Sequence, residues 1–291
     1  MALRTAPRPA PAKPAPAPKA APAAVPVAPM PATKALSLPA TPTPGVKTTK
    51  LRVFRYRPER SDEPFYQEYT IPYHDDMVVL DALNYIKDRV DPTLTFRWSC
   101  RMGICGSCGM NVDGTPELTC STYLKDLKKV PCVVEPLAGF PVLKDLVVDV
   151  EPFMRKLESV KPYLIRAEEK PLERGEYRQT PDQVEVYRQQ SMCIHCMLCY
   201  AACPVYAHDP RFVGPAASAL ALRYELDSRD QGSAERLAAV ATEHGIWQCT
   251  FVGECSVVCP KDVDPAGAIQ QLKAMAATRL MRSVLLPLSS R

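Results

Sequence analysis

The sequence predicts an α+β chain: a β-rich part, then an α-rich part, behind a disordered Pro/Ala-rich tail. Three observations carry that expectation. Residues 1–45 hold 13 prolines and 14 alanines, a composition that cannot bury enough apolar surface to fold. Between residues 50 and 150, short apolar runs are punctuated by turn residues. Beyond Pro152 the apolar spacing becomes helical, in a segment that holds seven of the 12 cysteines.

The tail is taken as residues 1–49. Its charges through residue 45 are all basic: Arg4, Arg8, Lys13, Lys19 and Lys34. These five exceed the net +4 of the whole chain, so the remainder carries about −1. A nucleic-acid partner therefore loses its main electrostatic support. The tail lacks the continuous apolar stretch of a secretory signal, and its frequent prolines forbid the amphipathic helix of a transit peptide. It reads as an extended linker or tether. No run of about 20 apolar residues exists that would span a membrane. Without an export signal the cysteines are expected in a reducing compartment, as metal ligands and not disulfides.

The β-rich part is expected over residues 50–151. Leu51, Val53, Phe54 and Tyr56 open one strand, and Phe65 to Ile71 make a second across the turn-prone Ser61–Pro64. Asp75 and Asp76 are candidate caps for a helix through Leu80, Leu83, Tyr85 and Ile86. A cysteine-rich loop runs from Cys100 to Cys108, and Asp113-Gly114 signals a hairpin. Apolar runs at 133–137 and 146–150 are expected to be closing strands.

The α-rich part is expected over residues 152–291. Helical spacing covers 152–165 and 181–192, either side of a charged stretch from Glu168 to Thr180. Further helices are expected at 215–227, 232–243 and 264–282, the last opened by Pro265.

The cysteines fall into ligand sets. Cys100, Cys105, Cys108 and Cys120 are spaced C-x4-C-x2-C-x11-C, and the first three match the plant-type 2Fe–2S run. Gly103, Gly106 and Gly109 suit a loop that must turn its amides toward a cluster. A structural zinc and incidental thiols are the alternatives, although zinc prefers paired C-x2-C knuckles and this set has one. The run Cys193, Cys196, Cys199, Cys203-Pro204 is the bacterial C-x2-C-x2-C-x3-C-P pattern, whose fourth cysteine serves the other cluster. A second such run holds Cys249, Cys255 and Cys259-Pro260, with Val252 where the middle ligand belongs. Cys193, Cys196, Cys199 and Cys259 then make a four-thiolate 4Fe–4S set. Cys203, Cys249 and Cys255 remain as three thiolates, which suits a 3Fe–4S cluster. Cys132, in an apolar strand, reads as a buried small hydrophobe. His195, Arg97 and Arg101 stand beside ligands, either tuning a cluster or serving as ordinary surface groups.

These stretches, with Lys144-Asp-Leu-Val-Val-Asp149, Gly214-Pro-Ala-Ala217, Asp227-Ser-Arg-Asp230 and the segment Lys261 to Gln271, carry a close resemblance. Over roughly residues 50 to 280 the chain resembles the iron–sulfur subunit of the succinate dehydrogenase/fumarate reductase family, closest to the fumarate reductase branch. The resemblance implies a β-grasp plant-type ferredoxin domain followed by an all-α bacterial-ferredoxin-like domain. It implies a flavoprotein partner that interconverts succinate and fumarate at FAD, and membrane anchor subunits that handle quinone. The chain would conduct single electrons between the two and carry no substrate-level catalytic residue. By the same resemblance Pro204, Gln270 and Lys273 border quinone, and the subunit sits peripherally on the cytoplasmic face of a bacterial membrane. Two rival readings remain: a stand-alone multi-cluster carrier, and the iron–sulfur subunit of a different flavoprotein oxidoreductase.

Overall fold

A hairpin opens the fold. Strand β1 (Thr48–Arg55) pairs antiparallel with β2 (Phe65–Pro72), in a register that sets Leu51 opposite Tyr69 and Val53 opposite Gln67. Alternation drives Leu51, Val53, Tyr69 and Ile71 inward. The computed structural model describes residues 47–60 and 63–285, so the expectation for the tail up to residue 46 lies outside the described residues, while Thr48 and Thr49, expected in the tail, already pair with β2.

Helix α1 (Val79–Tyr85) runs on into a π-helical turn (Ile86–Val90) and lies on the sheet through Val79, Ala82, Leu83 and Ile86. Its start differs from the sequence expectation. Asp75 and Asp76 sit in the turn before it, and the cap is made by Asp81, whose carboxylate accepts the Val78 N–H at 3.2 Å. A carboxylate one turn inside reaches back as well as one in front.

Strands β3 (Gly109–Val112) and β4 (Thr115–Leu118) form the expected hairpin, with Asp113 and Gly114 both at positive φ (51° and 91°) as a tight two-residue turn requires. Strand β5 (Cys132–Glu135) slots between β3 and β1, parallel to β1, giving the order β2-β1-β5-β3-β4. The run at 146–150 yields only β7 (Val147–Val148), paired with β6 (Val142–Lys144) in a separate two-stranded sheet.

Helix α2 (Glu151–Ser159) ends well short of residue 165. The local backbone explains the early stop: Lys161 takes φ of 52° immediately before Pro162, a position that disfavours helix. Past that end, the guanidinium of buried Arg236 collects the carbonyls of Lys161 and Tyr163 at 3.2 and 2.7 Å. Helix α3 (Pro181–Ser191) has a reciprocal cap: the Thr180 N–H donates to Gln183 Oε1 and the Gln183 N–H to Thr180 Oγ1. Short helices α4 (Leu198–Ala201) and α5 (Pro204–His208) follow, then α6 (Pro215–Glu225), α7 (Ser233–Val240), α8 (Glu254–Val257) and α9 (Pro265–Leu285). Proline, which lacks an N–H and presets φ, occupies the first position of α3, α5, α6 and α9.

Helix α6 is the centre of the helical part, burying Ala216, Ala217, Ala219, Ala221 and Leu222 against α3, α7 and α9. Small side chains there allow neighbouring helices a close approach. One core lies between the sheet and α1. The second runs without a break from Cys108, Leu118, Leu137 and Phe140 through Phe153 into α4, α6 and α9. The β-rich and α-rich parts thus share a core.

Candidate functional site

Eleven of the 12 cysteines gather at three places along this shared core. The first is the loop before β3. Arg101, Gly103 and Gly106 take left-handed φ values of 58°, 66° and 70°, a backbone path that turns successive amides inward. Cys100 Sγ accepts N–H groups from Met102, Ile104 and Cys105 at 3.3–3.4 Å, and Cys105 Sγ accepts those of Cys100 and Ser107 at 3.5 Å. These donors, led by the Cys100 amide, lower the Cys105 thiol to about 6. The loop is built to hold negative sulfur. Cys120 reaches the same place from the end of β4, where Thr119 ties to the Cys108 carbonyl through both N–H (3.1 Å) and hydroxyl (3.0 Å). Burial pushes the Cys120 thiol up to about 11.

The second place is a cavity lined by Cys193, Cys196, Cys199 and Cys259 with Met197 and Val263. His195 and Met197 take φ of 54° and 68°, folding the C-x2-C-x2-C segment around it. Burial raises all three thiols of the segment, Cys196 to about 11. The Val263 N–H donates to Cys259 Sγ at 3.4 Å.

The third is a cavity lined by Cys203, Cys249, Cys255, Pro204, Val252 and Ile269 among others. Tyr206 and Phe251 donate backbone N–H groups to Cys203 and Cys249 Sγ at 3.5 and 3.4 Å. Burial raises the Cys203 thiol and pushes that of Cys255 to about 12. The side chain that replaces a middle cysteine, Val252, does border this cavity.

The donor chemistry fits iron–sulfur clusters. Each place gathers several thiols, most of them buried where a bare thiolate is costly, so a positive metal centre is what their ionisation needs. Each also carries the backbone N–H donors that stabilise clustered sulfur. Among the described residues no group of three or more His, Cys, Asp or Glu converges as a single metal ion would require.

Other expected residues fall as follows. Cys132 is buried in the sheet core, its thiol pushed up to about 12 by burial. Arg101 stacks over Trp98 at 4.5 Å. His195 is exposed. Pro204 lines the third cavity, and Lys273 donates from α9 to the Cys249 carbonyl at 2.8 Å. Gln270, one turn earlier on α9, has a buried amide nitrogen without a partner.

Two relationships escaped sequence reasoning. The first and second cysteine loops touch at Gly106, a contact between residues about ninety positions apart. Arg55 is wholly buried and bonded to Asp91 and Asp145, which bracket the approach to the first loop. No local sequence signal marks either.

Residues 50–155 match the family described as a 2Fe-2S iron-sulfur cluster binding domain, and residues 189–263 match a 4Fe-4S dicluster domain. The chain is 58% identical over 237 residues to a fumarate reductase iron-sulfur subunit of Mycobacterium tuberculosis, covering 81% of this chain and 96% of that protein. It is 49% identical to the fumarate reductase iron-sulfur subunit of Haemophilus influenzae, over 81% of this chain and 96% of the relative. A succinate dehydrogenase iron-sulfur subunit from Paracoccus denitrificans is 39% identical, over 80% and 89%. Among solved structures, a chain of the Mycobacterium smegmatis Sdh1 complex in the apo form matches with TM-score 0.73 and 28% identity, covering 81% of this chain and 98% of that one.

Proposed function

Because the chain belongs to the fumarate reductase/succinate dehydrogenase iron–sulfur subunits, and so is an electron-transfer subunit of such a complex, we propose which residues hold each centre and what lies at either end of the path. Cys100, Cys105, Cys108 and Cys120 hold a 2Fe–2S cluster. Cys193, Cys196, Cys199 and Cys259 hold a 4Fe–4S cluster, and Cys203, Cys249 and Cys255 a 3Fe–4S cluster. The observation that carries this reading is the division of seven cysteines between two cavities, one with four thiols and one with three and Val252. When bound, such clusters supply one-electron redox capacity, which a flavin handling electron pairs needs from its partner. The chain's own side chains and amides hold the thiolates, exclude water and place the centres in series.

The fold reading goes with it. Residues 50–151 form a β-grasp ferredoxin-type domain, a view supported by the parallel β1–β5 neighbours at the middle of the sheet and α1 packed on its face. Residues 152–291 form an all-α bacterial-ferredoxin-like domain. The shared core makes the boundary at 151 one of cluster content more than of packing.

The partners in this proposal are a flavoprotein carrying FAD, which acts on succinate or fumarate, and membrane anchor subunits with quinone. Among the described residues no helix is long and apolar enough to cross a membrane, so attachment to the cytoplasmic face would come through the anchor. Pro204, Gln270 and Lys273 would border quinone, with support from Pro204 at the third cavity, Lys273 at the Cys249 carbonyl and the unpaired Gln270 amide nitrogen.

The test is metal and spectroscopic analysis of the freshly isolated complex. Iron and acid-labile sulfide sufficient for three centres are expected, together with the paramagnetic signal of an oxidised three-iron cluster. A fully assembled complex without that signal overturns the assignment of Cys203, Cys249 and Cys255.

A further inference from the structure

The first and second cysteine loops meet backbone to backbone, and glycine is what allows it. A Cβ on Gly106 would stand 2.7 Å from the Ile194 carbonyl oxygen, 2.9 Å from Cys196 Cα and 3.0 Å from Cys196 Cβ. Two of these three atoms belong to the backbone, so no rotamer change relieves the clash; the loops themselves have to part. Three residues on, a Cβ at Gly109 would lie 3.0 Å from the Cys196 carbonyl oxygen and 3.1 Å from Leu198 Cδ2. Both glycines face Cys196, and Gly106 is buried at that contact.

The conformational demand on the loop is separable from this contact. Gly103 takes nearly the same left-handed φ as Gly106 (66° against 70°), yet nothing lies within 4 Å of a Cβ built on it. Alanine at either position meets the same backbone penalty. Only at Gly106 does it also meet the second loop. Positive φ therefore explains why Gly103 is glycine and leaves the missing side chain at Gly106 to be explained by the neighbour.

We propose that Gly106, assisted by Gly109, is the positioning residue that sets the separation between the centre held by Cys100, Cys105, Cys108 and Cys120 and the centre held by Cys193, Cys196, Cys199 and Cys259. The inference rests on the ligand assignment given above. It concerns distance only: one electron crosses this gap, oxidising one centre and reducing the other, with no proton moved and no bond made. A wider gap weakens the coupling between the centres without altering either ligand set.

The experiment compares three variants of the whole complex: Gly106→Ala, Gly103→Ala and Gly109→Ala. After chemical reduction, power saturation of the first centre's paramagnetic signal reads its magnetic interaction with the second. Iron content and the signal of each centre report assembly separately from the gap. In wild type the second centre is expected to speed relaxation of the first. Gly106→Ala is expected to lose that enhancement with both centres present, whereas Gly103→Ala retains it. Gly109→Ala, where neighbours need give only a few tenths of an ångström, is expected to fall between, and it carries the test should Gly106→Ala not assemble. Wild-type relaxation in both Gly106→Ala and Gly109→Ala, or equal loss in Gly103→Ala, overturns the proposal. A wild-type complex lacking one of the two centres would instead overturn the ligand assignment, so the two failures are distinct.

Discussion

Arg55 and Asp145 form an ion pair in which neither side chain is exposed: Arg55 Nε donates to Asp145 Oδ1 at 3.0 Å, across 90 residues of sequence. The same carboxylate accepts backbone N–H groups from Tyr56 at 3.1 Å and Thr95 at 2.9 Å. Arg55 also bonds Asp91 at 2.6 Å and Thr93 at 3.0 Å. One guanidinium therefore fastens β1, the β6–β7 turn and the segment that leads into Cys100.

Breaking that pair should unfold the sheet end of the molecule readily. Removing one partner strands the other in a buried site, which costs about 3–5 kcal/mol. Asp145→Ala is expected to lower stability by that order in denaturant unfolding, and Asp145→Asn by less, since the amide keeps part of the hydrogen bonding. Occupancy of the first iron–sulfur centre should fall before that of the others. Equal stability of Asp145→Ala and wild type would refute the anchoring role.

The same network sets an acid limit. Burial alone would raise the Asp91 carboxyl, but hydrogen bonds from Thr93, Arg55 and Tyr69 hold it well below the usual carboxylate range. A depressed folded-state value contributes stability that is fully present above the ordinary aspartate pKa of about 3.9 and is lost as pH falls below it. The stability difference between wild type and Asp91→Asn should be constant from neutral pH to about pH 5 and shrink below about pH 4. An unchanging difference down to pH 3 would contradict this.

Val252→Cys tests the three-thiol cavity. A fourth thiol beside Cys203, Cys249 and Cys255 is expected to let the site take a fourth iron. The oxidised three-iron signal should disappear or fall strongly, the centre's potential should drop, and exchange with quinone should slow. Succinate-dependent reduction of a dye that takes electrons from the flavin should stay intact. Retention of the full three-iron signal would show that Val252 is not at the vacant corner.

Lys273→Ala tests the quinone end. Its ammonium is held at the Cys249 carbonyl, 2.8 Å away. In the proposed role the same ammonium also donates to quinone, and loss of that charged hydrogen bond should raise the KM for quinone about tenfold, with the flavin-linked dye reaction unchanged. Lys273→Arg should recover part of the loss. A parallel fall in both reactions would indicate a structural role instead.

Much of the chemistry was legible along the chain because cluster ligation is local. Three cysteines of each of the first two proposed sets, and two of the third, lie within one short loop or one repeated run, and Val252 is conspicuous only because Cys196 fills the matching place. The Asp113-Gly114 turn and the proline starts of α3 and α9 were readable for the same reason: a few adjacent residues decide the backbone.

What only the tertiary structure decided involves partners far apart in sequence. Past the end of α2, Arg236, 75 residues beyond Lys161, ties down the carbonyls of Lys161 and Tyr163. A capping aspartate was expected before α1, and Asp81 supplied it from within. Sequence spacing assigned Cys259 to one group and Cys203 to another, but said nothing of how near the groups stand. Gly106 against Ile194 and Cys196 fixes that distance, and Arg55 with Asp145 holds the approach to the first loop. Spacing along a chain encodes which atoms can reach one cluster. Only packing encodes how far one cluster lies from the next, because that distance is set by whichever surfaces come into van der Waals contact.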